Sequence, residues 1–259
     1  MSFPRRPRFV VLALALTAVA LVVAACEPVK KAAPPPPTGA CTQFWRGYVL
    51  ASDHNYAGLG AYSGSDRYMC KDTPTQGVRA QIQHLRNYAD ANSTPYNLGN
   101  PFEPRVKYDA AAFMSFVYKG KAPKWIDLNG RWAVPGTTYG QTILGICNNV
   151  RSGENPFSST TTIMGANQLT AHEIATYVTK INQQAGNTWR PEITPTQMAQ
   201  IYLNEGAAAG VRGDIAFCQS ILETGWFSWP GSYSSTGVSA ADAGSSGYFE
   251  LRDHTTFRN

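Results

Sequence analysis

Histidine, net charge and long apolar runs are all scarce in this 259-residue chain. The four histidines, His54, His84, His172 and His254, stand far apart, and no cysteine or second histidine lies at the spacing of a zinc site. Neither a metal nor a cofactor is therefore expected. Charged residues amount to 15% of the chain, and the formal net charge is only +5. Arg5, Arg6 and Arg8 fall in the first 25 positions, which hold no acidic residue, so a chain shortened there carries about +2. That is too mild a field to argue for nucleic acid as a partner. Only one long run, Phe9 to Ala25, is free of charge and strongly apolar. What is plentiful is aromatic: 12% of the residues, with all six tryptophans after position 40. Aromatic faces line sugar-binding clefts, and they fill ordinary cores equally well.

The three arginines and the apolar run give residues 1–25 the basic and hydrophobic regions of an export signal. The run closes Val23-Ala-Ala-Cys26, which resembles a bacterial lipobox. The resemblance implies cleavage before Cys26 and lipidation of its sulfur. The alternative is an uncleaved span, since the run is near the lower length limit for crossing a bilayer. Either way the remainder is expected in the cell envelope, tethered to the outer face of the cytoplasmic membrane or in the periplasm. Residues 26–40 carry the run Pro34-Pro-Pro-Pro37 and make a stiff spacer that cannot pack a core. Residues 41–230 are long enough for a single well-buried domain, and 231–259 form a Ser/Gly-rich tail.

Periodicity within the domain favours helices. Val78 to Tyr88 places Val78, Ile82 and Leu85 on one face, and Asp109 to Val117 does the same with Ala112, Phe113 and Phe116. Thr138 to Val150 carries Ile143, Ile146 and Val150 in register. Thr170 to Asn182 opens with a capping box, Thr170 followed by Glu173. Thr194-Pro195 opens a further helix with proline at its first position. Residues 45–70 read as irregular or short β structure. Four cysteines follow Cys26, and outside the cytoplasm they allow three pairings. Cys41 and Cys70 flank the loop-rich block and are the first candidates for a bridge; Cys147 and Cys218, in apolar helical contexts, read as buried thiols.

The segment Asp214-Ile-Ala-Phe-Cys-Gln-Ser-Ile-Leu-Glu-Thr224 reads as a short helix capped by Asp214 and stopped by Gly225. Ile215, Cys218, Ile221 and Leu222 form its buried stripe. Glu223 then sits at the helix C-terminus beside Trp226, Phe227 and Trp229. The helix dipole and the aromatic surround both disfavour its charged form, which suits a general acid. The same spacing also fits a surface glutamate in the last turn of an amphipathic helix.

Val211 to Trp226 resembles the catalytic segment of bacterial glucosaminidase domains, the mannosyl-glycoprotein endo-β-N-acetylglucosaminidase-like enzymes of glycoside hydrolase family 73. Three further blocks resemble that family: Ser52 to Ala61 its Asn-aromatic-x-Gly segment, Gly77 to Asp90 the helix after it, and Trp132 to Ile143 its closing segment with a tyrosine. The order differs, because the Glu helix comes last here. Residues 41–150 resemble the family's second half and residues 159–230 its first, the pattern of a circular permutation. The resemblance implies a mainly α, lysozyme-like domain with a small β or loop lobe.

It also implies a peptidoglycan hydrolase that cleaves β-1,4 bonds after N-acetylglucosamine, with Glu223 as general acid and Tyr139 near the cleavage point. Asp53 is the candidate second carboxylate; the substrate acetamide is the other route, so retention and inversion both stay open. Asn55, Tyr56 and Gly58 are candidates for binding the N-acetyl group and sugar, and Trp226 and Trp229 for the cleft floor. Glu205 reads as a structural carboxylate and His84 as a non-catalytic helix residue. The partners expected are glycan strands and, through the lipid, the membrane. A monomer is expected, with a domain-swapped dimer as the alternative. Two other functions fit the same features: a lytic transglycosylase or muramidase of the same fold, and a wall-binding lipoprotein without turnover.

Overall fold

The computed structural model describes residues 49–59, 70–104, 110–133, 136–151 and 153–229. The expected leader, Cys26, the spacer, Cys41 and the tail lie outside the described residues. Among the described residues six α-helices carry the fold: α1 (Pro74–Ala89), α2 (Ala110–Met114), α3 (Tyr139–Asn148), α4 (Ala171–Ala185), α5 (Pro195–Ala209) and α6 (Gly213–Thr224). The 3₁₀ turns Ala51–Asp53 and Trp125–Leu128 precede α1 and α3. Among the described residues the extended pairings are isolated bridges, Lys124 with Thr162, Asn129 with Ala133 and Met164 with Val211. The expected β or loop lobe is accordingly loop where it is described. No described helix is long and apolar enough to cross a membrane.

The helix starts follow local chemistry. Thr73 caps α1 by accepting from the Gln76 amide at 3.3 Å, with Pro74 at the first position. Thr170 and Glu173 form a reciprocal box at α4, and Thr194 and Gln197 another at α5. Each of these boxes satisfies amides that the first helical turn leaves without partners. Gly186 and Gly210 end α4 and α5 in left-handed conformation.

Helix α5 is the hub, packed on α1, α4 and α6, and α6 also packs on α3. A single core runs through Ile82, Leu85, Trp125, Trp132, Ile174, Val178, Met198, Ile215 and Phe217. The turn from α5 into α6 is close-packed: a Cβ on Gly213 would come within 2.0 Å of the Tyr202 carbonyl oxygen. That contact admits only glycine, and α6 starts at Gly213, two residues earlier than a cap at Asp214 would place it. Asp214 therefore does not cap the helix. It lies inside the first turn, fully buried, where Oδ2 accepts from the amides of Gln168 (2.6 Å) and Leu169 (3.1 Å), just before α4.

Cys147 in α3 and Cys218 in α6 form a disulfide with Cα atoms 5.7 Å apart, which corrects their reading as free buried thiols. Their residues are helical and apolar as expected, but two packed helices bring the sulfurs together across 71 positions. Cys70 is also disulfide-bonded.

Candidate active site

Glu223 occupies the last turn of α6 with 3% of its surface exposed. Its Oε1 accepts from Trp132 Nε1 at 3.1 Å and from the Tyr139 hydroxyl. Trp132 stands on the turn after the 3₁₀ helix Trp125–Leu128, its amide bonded to the Leu128 carbonyl at 2.9 Å. Tyr139 is the first residue of α3, and Asn129 Oδ1 holds the next amide, that of Gly140, at 2.8 Å. The third approach comes from the loop after Asp53. A Cβ built on Gly58 would lie 3.2 Å from Glu223 Oε2, and Gly58 has a φ of +62°. The missing side chain and the left-handed backbone both call for glycine there.

The chain leaves α6 through a turn of the opposite hand. Gly225, Trp226 and Phe227 have φ of 57°, 63° and 59°, and Trp229 has 42°. Left-handed backbone costs a non-glycine residue roughly 1–2 kcal/mol, so the turn needs outside support. Asn182 Nδ2 donates to the Trp226 carbonyl at 3.0 Å, and the Arg190 amide to the Phe227 carbonyl at 3.0 Å. Thr224 adds an internal brace, its Oγ1 accepting from the Phe227 amide at 2.9 Å. Strain of this kind concentrates at functional sites.

The other expected site residues divide between framework and lining. Asn55 spends its amide on the backbone of Leu59, donating from Nδ2 and accepting at Oδ1, both at 2.9 Å. Only 1% of it is exposed, and these bonds close the loop that carries Gly58. Tyr56 and Trp229, expected to face a sugar, are core residues at 0% and 2% exposure, packed on each other and on Phe227. The reason is the left-handed turn, which folds Phe227 and Trp229 inward. Burial pushes the Tyr56 phenol well above the usual tyrosine range, with Tyr202 and Glu192 adding to it. Trp226 alone of this aromatic group stays half-buried, its ring 5.8 Å from that of Tyr177.

Asp53 is buried, and its Oδ2 accepts from the Leu50 amide at 2.7 Å, closing the 3₁₀ turn that starts the loop. The sulfur of Cys70 lies 3.7 Å from its Oδ1. Glu205 accepts from Nε and Nη2 of Arg79, each at 2.9 Å, and from Asn100 Nδ2 at 2.6 Å. Its bidentate partner gives it a structural role, as expected. His84 packs its ring among Tyr88, Phe116 and Trp132.

Several contributors escape a reading of the sequence alone. Trp132 opens one of the resembling blocks, but nothing in its spacing marks it as a donor to Glu223. Gln219 lies one turn before Glu223 in α6, fully buried, and its Nε2 donates to the Tyr139 oxygen at 2.8 Å. A glutamine inside the buried stripe was the signal available. His54, at a φ of 51°, bridges the Lys71 carbonyl (2.6 Å) and Glu192 Oε1 (2.7 Å), tying the Gly58 loop to the connection before α5.

Two neutral donors on Oε1 suit either a carboxylate or a carboxylic acid protonated on Oε2, and Oε2 faces the backbone of Gly58.

No family model matches the chain, and no solved structure matches it. A curated protein of Borreliella burgdorferi, described as uncharacterized, is 30% identical over 89 residues. The match covers 34% of this chain and 38% of that protein.

Proposed function

We propose that the domain is a peptidoglycan hydrolase that cleaves β-1,4 glycosidic bonds after N-acetylglucosamine, with Glu223 as general acid. One observation carries this reading: Gly58 from one block that resembles the glucosaminidase family, and Trp132 and Tyr139 from another, meet on the carboxyl group of the block that holds Glu223. In this reading the fold is lysozyme-like and circularly permuted, with the site on the seam between residues 41–150 and 159–230. The protein is anchored through Cys26 and works on glycan strands outside the membrane.

Glu223 Oε2 gives its proton to the leaving oxygen as the glycosidic bond breaks, and the resulting carboxylate keeps the Tyr139 and Trp132 donors. Because the Asp53 carboxylate already closes a backbone turn, the substrate acetamide is favoured over Asp53 as the group that intercepts the sugar cation. That route retains the anomeric configuration.

The test is release of reducing ends from purified peptidoglycan by the full chain in detergent, beside Glu223→Gln, with mass analysis of products. Reducing N-acetylglucosamine ends that vanish in the variant are expected. Anhydro ends would move the reading to a lytic transglycosylase. A folded wild-type protein that binds peptidoglycan without cutting it would move it to a wall-binding role, which the 3% exposure of Glu223 also fits.

A further inference from the structure

We propose that Gln219 and Gln81 are positioning residues that set the direction of the Tyr139 hydroxyl and so hold its proton on Glu223. The inference rests on the hydrolase reading for its effect on turnover, but the direction of the hydrogen bonds stands on geometry. Gln81, on α1, donates from Nε2 to the Ala216 carbonyl (3.2 Å) and to Gln219 Oε1 (2.8 Å). A backbone carbonyl only accepts, so the Gln81 nitrogen must face this side. Its oxygen faces the other way and accepts from the hydroxyls of Tyr202 (2.7 Å) and Ser220 (3.0 Å).

With its own oxygen committed to Gln81, Gln219 must present nitrogen to Tyr139. That N–H donates to the phenol oxygen, so the single phenolic proton cannot point back along the chain. It is directed to Glu223. Gln81, Tyr202, Gln219 and Ser220 are all 0% exposed, so water does not compete for these bonds. The polarity is therefore anchored at the Ala216 carbonyl and transmitted from α1 through α6 to α3. The titratable groups around the chain are Tyr139 on α3, Tyr202 on α5, and His84 on α1, whose ring centroid lies 5.2 Å from that of Trp132.

Two substitutions act on the chain differently, one removing a link and one reversing it. Gln219→Met removes the donor to Tyr139. Gln81→Glu, one residue further away, replaces the donor to Gln219 with an acceptor. Gln219 then turns its nitrogen to residue 81 and its oxygen to Tyr139, which draws the phenolic proton away from Glu223. Gln83→Met is the control, because Gln83 is a buried amide spent on Asn100, Pro101 and Glu103 instead.

The experiment follows the Glu223 carboxyl by carbon NMR titration in the full chain, together with the pH profile of glycan hydrolysis. A carboxylate that loses a donor binds its proton more tightly, so the Glu223 midpoint is expected to rise by about one unit in Gln81→Glu. The alkaline limb of kcat moves with it, while KM changes little. Gln219→Met, in which the Tyr139 hydroxyl keeps Glu223 as its acceptor, and Gln83→Met leave the midpoint near its wild-type place. An unmoved midpoint in folded Gln81→Glu, or an equal rise in Gln219→Met, overturns the proposal. A moved midpoint in a protein that cuts no glycan overturns the hydrolase reading and keeps this one. Should both variants fail to fold, wild-type cross-relaxation decides: Gln219 amide protons near the Tyr139 ring support the polarity, and near Gln81 they overturn it.

Discussion

Gly58 faces Glu223 so closely that a methyl group on its Cα would sit 3.2 Å from Oε2, closer than side-chain carbons ordinarily come. The loop bearing Gly58 is itself closed by Asn55 on Leu59 and anchored by Asp53 on Leu50. Asp53, Asn55 and Gly58, chosen from the sequence as candidate site residues, thus shape one loop, which sets a bare stretch of backbone against a carboxyl group.

Gly58→Ala is expected to lose about 1 kcal/mol of stability, because alanine resists a φ of +62°. Turnover should fall further than stability implies, since the methyl crowds the proposed proton donor. Thermal melts and glycan hydrolysis measured on one preparation separate the two effects. A variant with wild-type turnover would remove Gly58 from the site.

Tyr139→Phe deletes one donor to Glu223 Oε1 and leaves Trp132 in place. A hydrogen bond to a charged group contributes about 1.5–3 kcal/mol, so kcat is expected to drop by roughly ten- to a hundredfold. Trp132→Phe should cost less, its bond being longer at 3.1 Å. Steady-state rates on solubilised glycan strands give both values.

Cys147→Ser with Cys218→Ser opens a loop of 71 positions. Loop-closure entropy assigns such a bridge about 4 kcal/mol, so the denaturant midpoint should fall sharply. Equal midpoints for the oxidised protein and the double variant would show that packing of α3 on α6 suffices without the bond.

Acid should expose the contribution of Glu173. Its carboxyl is held down to about 2 from an ordinary 4.5, first by the Arg151 guanidinium at 2.6 Å and then by the Thr170 amide at the α4 cap. A depressed pKa stabilises the fold above pH 4.5, and the contribution disappears as pH falls from there to about 2. The Tm gap between wild type and Glu173→Gln is therefore expected to be widest near neutrality and to narrow across that window. High salt should narrow it as well, because the pair is partly exposed.

Local signals carried the helices well. Thr170 with Glu173 and Thr194 with Pro195 mark their helix starts within the sequence, since capping uses residues three apart. Asp214 looked equally like a cap and is not one, because a tertiary contact, Gly213 against the Tyr202 carbonyl, decides where α6 begins. Tyr56 and Trp229 looked like a sugar platform because composition does not say which way a ring turns; the left-handed turn after Gly225 does. The Cys147–Cys218 pair and the Gln81–Gln219 chain join segments more than 70 positions apart, beyond the reach of any local pattern.

The position of Glu223 along the chain also has a bearing on time. Trp132 and Tyr139, whose hydrogen bonds reach the carboxyl group, and Gly58, whose backbone faces it, all precede it in the chain. Domains gather as they emerge, N-terminal parts first. The surroundings of the carboxyl group are therefore built from chain that emerges earlier, and the group reaches them only when α6 docks.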